Sequence, residues 1–199
     1  DKATVAAKLD QVGAVLVAKL ALGALAMGDK WYGGPTKNPW NPTQGSSGSS
    51  AGSASATAAG CVGFSLGSET LGSIMSPSRR CGVTGLRPTF GRVSRQGCMS
   101  LSWSMDKLGP ICRSAEDCAL VFQAIHGADG LDPAAVDRPF HWPVKVALKR
   151  ISVGYVDDGR KLVDREVLQV FKDRGCKLVE IQLPSKLPTW PLTNILFAE

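Results

Sequence analysis

The chain has 199 residues, 44% apolar and 20% charged, with a net charge of +6, a balance that suits a folded domain able to bury a sizeable core. No apolar run approaches the roughly 18 residues a membrane-spanning helix needs, so no membrane role is expected. The positive charge is scattered, with Arg79-Arg80, Lys149-Arg150 and Arg160-Lys161 as the adjacent pairs, and without a basic patch or motif a nucleic-acid partner is not expected.

Cys61, Cys81, Cys98, Cys112, Cys118 and Cys176 form no C-x-x-C pair. They predict reduced, mostly buried thiols and a cytoplasmic location. His126 and His141 are isolated, so neither a metal site nor another cofactor is expected. The opening residues show no secretory pattern and no initiating methionine, and residue 199 falls in an apolar stretch. The expectation is a chain that starts and stops inside a longer protein.

In chain order, Val5, Leu9 and Val12 at helical spacing before Gly13 predict a short amphipathic helix. Ala14 to Ala18 predicts a strand buried on both faces, Leu20 to Met27 is helix-compatible, and 33–42, rich in Gly, Asn and Pro, predicts irregular chain. Residues 45–60 are nearly all small and could pass for a linker. Their alanine-dominated second half, 51–60, instead predicts a close-packed helix. Cys61 to Gly67 predicts a brief strand, and 68–74 a tight turn. Ser114, three residues before Asp117, opens a predicted helix over 115–126 with Leu120, Val121, Ala124 and Ile125 on its apolar face. Residues 127–145 predict a surface loop. A strand at 151–156, a helix at 164–173 and a strand at 177–181 form a β-α-β unit, the usual builder of parallel sheets.

A serine nucleophile needs a base within hydrogen-bond reach and donors for the oxyanion that forms on attack. Gly48-Ser49-Ser50-Ala51-Gly52 matches the G-x-S-x-G elbow with Ser50 at its centre. That motif requires a strand directly before it, and 38–44 carries no strand signal. In Thr70-Leu71-Gly72-Ser73, successive amides around a glycine can form a nest of donors. On local chemistry alone a plain turn with a surface serine is the better reading.

The wider context separates these candidates. Ser47-Gly48-Ser49-Ser50-Ala51-Gly52-Ser53, then Gly67-Ser68-Glu69-Thr70-Leu71-Gly72-Ser73-Ile74-Met75, then Cys81-Gly82-Val83-Thr84-Gly85-Leu86-Arg87-Pro88-Thr89-Phe90-Gly91-Arg92-Val93-Ser94 follow one another in an order and spacing that resemble the amidase signature family. The resemblance is strongest over about 38–97. It extends upstream to Ala14–Gly28, similar to the segment bordering that family's substrate channel, and downstream to Met105-Asp106-Lys107-Leu108-Gly109-Pro110 and Arg113 to Leu120, covering about 1–130 well and the rest loosely.

The resemblance implies an α/β fold, a mixed β-sheet flanked by helices on both faces, with 1–199 as a single partial domain. It also implies an amidase that cleaves carboxylic amides, with esters a close variant, through an acyl-enzyme on Ser73. Ser49 would be a bridging serine after a cis peptide, and the amides of Thr70, Leu71, Gly72 and Ser73 the oxyanion donors. Met27, Gly28 and Ser50 would contact substrate. The partner implied is a small-molecule amide, with homo-oligomerisation left open. The family's base, a lysine in a Lys-Asp motif about seventy residues before the bridging serine, would fall before Asp1; Lys2, Lys8 and Lys19 lack that motif. Leu71 stands where the family usually has glycine and Met75 where arginine is common. A subunit of a tRNA-dependent amidotransferase and a catalytically incomplete fragment are the rival readings.

Overall fold

In the computed structural model, which describes residues 2–157, 164–184 and 187–198, the chain divides into two units. One comprises Asp1–Trp142 with Thr193–Glu199, the other Pro143–Leu192. The basic pair Arg160-Lys161 and both chain ends lie outside the described residues.

The first unit opens with the expected helix α1 (Thr4–Gln11). Val5 packs into a core with Val93, Leu108, Phe122 and Ile125. The next expectation fails, because residues 14–18 form no strand, and Val15, Leu16 and Val17 are 81%, 68% and 69% exposed. A β-branched run becomes a strand only where a neighbour completes its hydrogen-bond ladder, and none does so among the described residues. The helix-compatible stretch after it yields a single 3-10 turn at Ala24–Ala26.

The irregular chain expected at 33–42 instead contributes strands to two short antiparallel pairs. They are β1 (Lys30–Trp31) with β2 (Gly34–Pro35), and β3 (Lys37–Asn38) with β4 (Asn41–Gly45). β1, β2 and β3 are two residues each, too few to show a period of two, and β4 shows none because its first four residues are all exposed.

The small-residue stretch becomes helix α2 (Ala51–Ala58), with Ala51, Gly52, Ser53, Ala54 and Thr57 buried. A β-carbon at Gly52 would lie 2.5 Å from the Ala21 nitrogen, so the chain at 21 closes directly onto this helix. α2 is tied to strand β5 (Phe64–Glu69) by hydroxyls. Ser53 donates to the Leu66 carbonyl at 2.7 Å, Ser65 donates to the Ser53 carbonyl at 2.9 Å, and the Thr57 and Ser65 hydroxyls meet at 2.9 Å. Each of these buried hydroxyls has its partner, the condition for a polar seam inside a core.

Helix α3 (Met75–Cys81) follows the turn after β5 and ends at Gly82 in the left-handed region, φ +66°, a backbone conformation that glycine adopts at no steric cost. Strands β6 (Thr84–Gly85) and β7 (Lys107–Cys112) complete an antiparallel sheet in the order β5-β7-β6, with Glu69 opposite Lys107. Ala54, Ile74, Cys81 and Ile111, all fully buried, form the core between this sheet and helices α2 and α3. Helix α4 (Ala115–Ile125) is capped by the Ser114 hydroxyl, which accepts from the Asp117 amide at 3.0 Å. Its buried face is Cys118, Ala119, Val121, Phe122 and Ile125; Leu120, expected inside, is exposed.

The second unit holds the expected β-α-β arrangement. Strands β8 (Ser152–Tyr155) and β9 (Lys177–Glu180) are parallel, and helix α5 (Arg165–Asp173) lies between them in sequence. The Asp164 carboxylate caps α5 by accepting from the Glu166 and Val167 amides, donors that a helix start leaves without a partner of its own. Helix α6 (Thr189–Phe197) is divided between the two units' residue ranges, 189–192 falling in the second and 193–197 in the first. The α/β class is therefore present, with strands of both senses shared among four small sheets in the described residues.

Candidate active site

The serine-rich loop is anchored before it reaches α2. The Asp29 carboxylate accepts from the Ser47 amide at 3.1 Å. A β-carbon at Gly48 would sit 1.8 Å from the Gly28 carbonyl oxygen, so only glycine allows this approach. That contact brings Gly28 beside the loop, whereas the neighbouring Met27 side chain is 75% exposed. The Gly48–Ser49 peptide bond is cis, as the resemblance implies. Ser49 is 3% exposed, and its carbonyl accepts from the Gly23 amide at 3.0 Å.

Ser50 joins this loop to the nucleophile segment. Its hydroxyl accepts from the Ser68 amide at 3.1 Å and donates to the Ser68 carbonyl at 3.0 Å, and its own amide donates to the Ser73 carbonyl at 3.1 Å. The backbone segments carrying Ser49 and Ser73 are thus adjoining. Ser50 is fully buried with its hydroxyl engaged in both directions, the geometry of a brace.

The turn at 70–74 is organised from its inner side by Glu69, which is 1% exposed. One carboxylate oxygen accepts from the Ile74 amide at 2.8 Å and the Met75 amide at 3.0 Å, and the other meets the Arg87 guanidinium at 3.4 Å. Burial pushes this carboxyl upward. The hydrogen bonds from the Met75, Ile74 and Gly72 amides, with the Arg87 charge, outweigh burial and hold it below its ordinary value, because each favours the charged form.

On the other flank, the Lys107 ammonium donates to the Thr70 carbonyl at 2.9 Å and the Thr70 hydroxyl donates to Asp106. Asp106 also accepts from the Ser100 hydroxyl and the Leu101 and Ser102 amides. Burial draws the Lys107 ammonium below its ordinary range, with the charges of Glu69 and Asp106 opposing and that of Arg87 assisting.

The amides expected to hold an oxyanion are not equivalent. The Gly72 amide is directed at Glu69, while those of Thr70, Leu71 and Ser73 meet no protein acceptor among the described residues. Gly72 itself, at φ +94°, is where the turn needs a glycine. Of the lysines set aside from sequence, Lys8 donates to the His126 and Gly127 carbonyls at 2.7 and 2.9 Å, and Lys2 pairs with Asp10. The sequence reading missed Asp29, Asp106 and Lys107. The Asp106-Lys107 pair lay in a quoted motif, but only the strand register sets Lys107 opposite Glu69.

A family profile described as "Amidase" matches residues 1–199. The chain is 39% identical over 196 residues to a glutamyl-tRNA(Gln) amidotransferase subunit of Chromohalobacter salexigens, covering 92% of this chain and 40% of that protein. It is 43% identical over 189 residues to the corresponding protein of Moorella thermoacetica, covering 90% and 38%. Among solved structures, the same amidotransferase component from Thermotoga maritima superposes with a TM-score of 0.91 at 30% identity, over 100% of this chain and 47% of that one. The native peptide amidase of Stenotrophomonas maltophilia gives 0.80 at 30%, over 94% and 42%. The chain thus spans about two fifths of the curated relatives' length. With a profile that runs its full length and folds that superpose on its own, this chain belongs to the amidase family.

Proposed function

We propose that residues 1–199 form the nucleophile-bearing part of an enzyme that hydrolyses carboxylic amides, and that both units belong to one amidase domain. Ser73 attacks the carbonyl, and Ser49 passes the proton to a lysine-based acid/base that the family's Lys-Asp motif would supply from outside these residues. Such a lysine must be neutral to act, which a buried setting favours. The amides of Leu71 and Ser73 stabilise the oxyanion. Ser50 is a brace between the two serine segments, and Gly28 borders the substrate. The substrate is a small-molecule amide, and the six free cysteines fit a reducing compartment.

The observation that carries this reading is the bond from the Ser50 amide to the Ser73 carbonyl, which sets the Ser49 and Ser73 segments side by side, next to the Leu71 and Ser73 amides that meet no acceptor among the described residues. In the intact protein, Ser73→Ala should reduce turnover of a p-nitroanilide amide at least about 10³-fold, a loss typical of a removed nucleophile. Near-wild-type turnover by this variant would sink the assignment.

A second reading, a protein that releases ammonia from an amide for use by a partner, is favoured by the 39% and 43% identities to amidotransferase subunits. Glutamine hydrolysis that rises only when cognate partner subunits are added would select it. Turnover of simple amides by the protein alone would select the hydrolase.

A further inference from the structure

We propose that Lys107 is a positioning residue for the reaction at Ser73, fixing the direction of the Leu71 amide by gripping the Thr70 carbonyl. The inference rests on the reading of Ser73 as nucleophile. In a trans peptide the C=O and the following N–H lie in one plane and point in opposite directions. Four peptide planes make up the turn from Thr70 to Ile74, each of them trans; the N–H of the Leu71–Gly72 plane is directed at Glu69, and the other three set the remaining donors.

The Ser73–Ile74 plane shows the rule at work. Its carbonyl accepts from the Ser50 amide, and its N–H points the other way, into Glu69. The Gly72–Ser73 plane is held by its carbonyl, which accepts from the Ser76 amide at 2.7 Å. That leaves the Ser73 N–H directed away from α3. The Thr70–Leu71 plane is held by the 2.9 Å bond from Lys107 Nζ, so the Leu71 N–H faces the side opposite the ammonium.

Lys107 can hold that plane firmly because it has little freedom of its own. It is the first residue of β7, in register with Glu69 on β5, and only partly exposed. Glu69, Asp106 and Arg87 are the charged groups around it. An ammonium-to-carbonyl bond in such surroundings is stronger than a neutral one. Released from it, the Thr70–Leu71 plane could rotate, and a donor preorganised for the transition state would have to be reoriented at each turnover.

The test uses the intact protein and a p-nitroanilide substrate. Lys107→Met keeps the aliphatic stem and removes the donor. It should lower kcat by about 10- to 100-fold, below the roughly 10²- to 10³-fold loss on removing an oxyanion donor outright because the donor is only loosened, with KM changed less than about threefold. Lys107→Arg, which restores a cationic donor, should recover most of kcat, and Lys107→Gln, a neutral donor, should fall between. Should Lys107→Met fail to fold, the Lys107→Arg and Lys107→Gln pair decides, and equal kcat in the two would count against the inference. A kcat within twofold of wild type in Lys107→Met would overturn it. So would a loss that tracks a lowered melting temperature in all three variants, since that marks a structural role. Ser73→Ala separates the two failures. If it loses turnover while Lys107→Met does not, only the role of Lys107 falls, and if it keeps turnover, the reading of the site falls with it.

Discussion

Residues 69–75 and residues 14–18 are short segments of one unit with opposite fates. The turn at 69–75 mixes polar and apolar residues around a glycine, and carbonyls and amides along it are held by Lys107, Ser76, Ser50 and Glu69, while the Leu71 and Ser73 amides meet no acceptor among the described residues. The run Ala14-Val15-Leu16-Val17-Ala18 is wholly apolar, yet it carries no strand and leaves three large side chains in solvent. Local order here follows the hydrogen-bond partners a segment finds more than its apolarity. A buried backbone group without a partner costs more than an exposed methyl group gains.

The largest effect should come from removing the organiser of the turn. Glu69→Ala leaves the Ile74 and Met75 amides without their acceptor and Arg87 without its partner, and should destabilise the first unit by about 3 kcal/mol in urea unfolding. A change below about 1 kcal/mol would show that the turn is held by its other bonds, erasing the contrast with 14–18.

A subtler version keeps the shape and removes the charge. The Glu69 carboxyl is held below its ordinary value of 4.5 in the fold. Its stabilising contribution is therefore complete above the unfolded pKa and lost as pH falls through the folded one. The wild-type urea midpoint should drop on acidification below about pH 4.5, and Glu69→Gln should show a shallower drop. Asp129 and Asp132 are also held low and contribute their own acid limb, so parallel limbs in the two proteins would remove Glu69 as a contributor. The smallest effect belongs to the other segment. Leu16→Ser in the 199-residue chain should change unfolding free energy by no more than about 0.5 kcal/mol, as for an exposed side chain. A loss several times larger would mean that 14–18 is structured after all.

What the sequence made legible divides along the same line. Ser114 and Asp164 announced their helices because capping is a local transaction between a side chain and amides two or three residues on. The parallel pair β8 and β9 was legible from its β-α-β spacing. Ser49, Ser73 and the cis bond before Ser49 were reached through the order and spacing of three long motifs, since a Gly/Ser turn by itself carries no chemical signature. Lys107 and Asp106 stayed hidden because their work is done on Thr70, 37 and 36 residues away in the chain. Only the β5–β7 register brings them there, and register is a property of two strands together. The strand at 14–18 was misjudged because its five residues show what the segment could bury, and not whether a neighbour exists to bury it.

The stretch from 45 to 60 has a consequence of its own. A filter for compositional bias would discard it as a tether, and a tether can be exchanged for another of equal length. In this molecule the small side chains act as a spacer gauge. Gly48 sets how near residue 28 may come, Gly52 how near residue 21, and the hydroxyls of Ser53 and Thr57 fasten the helix at the distance so fixed. Low complexity in the alphabet here encodes a tolerance of less than one carbon atom.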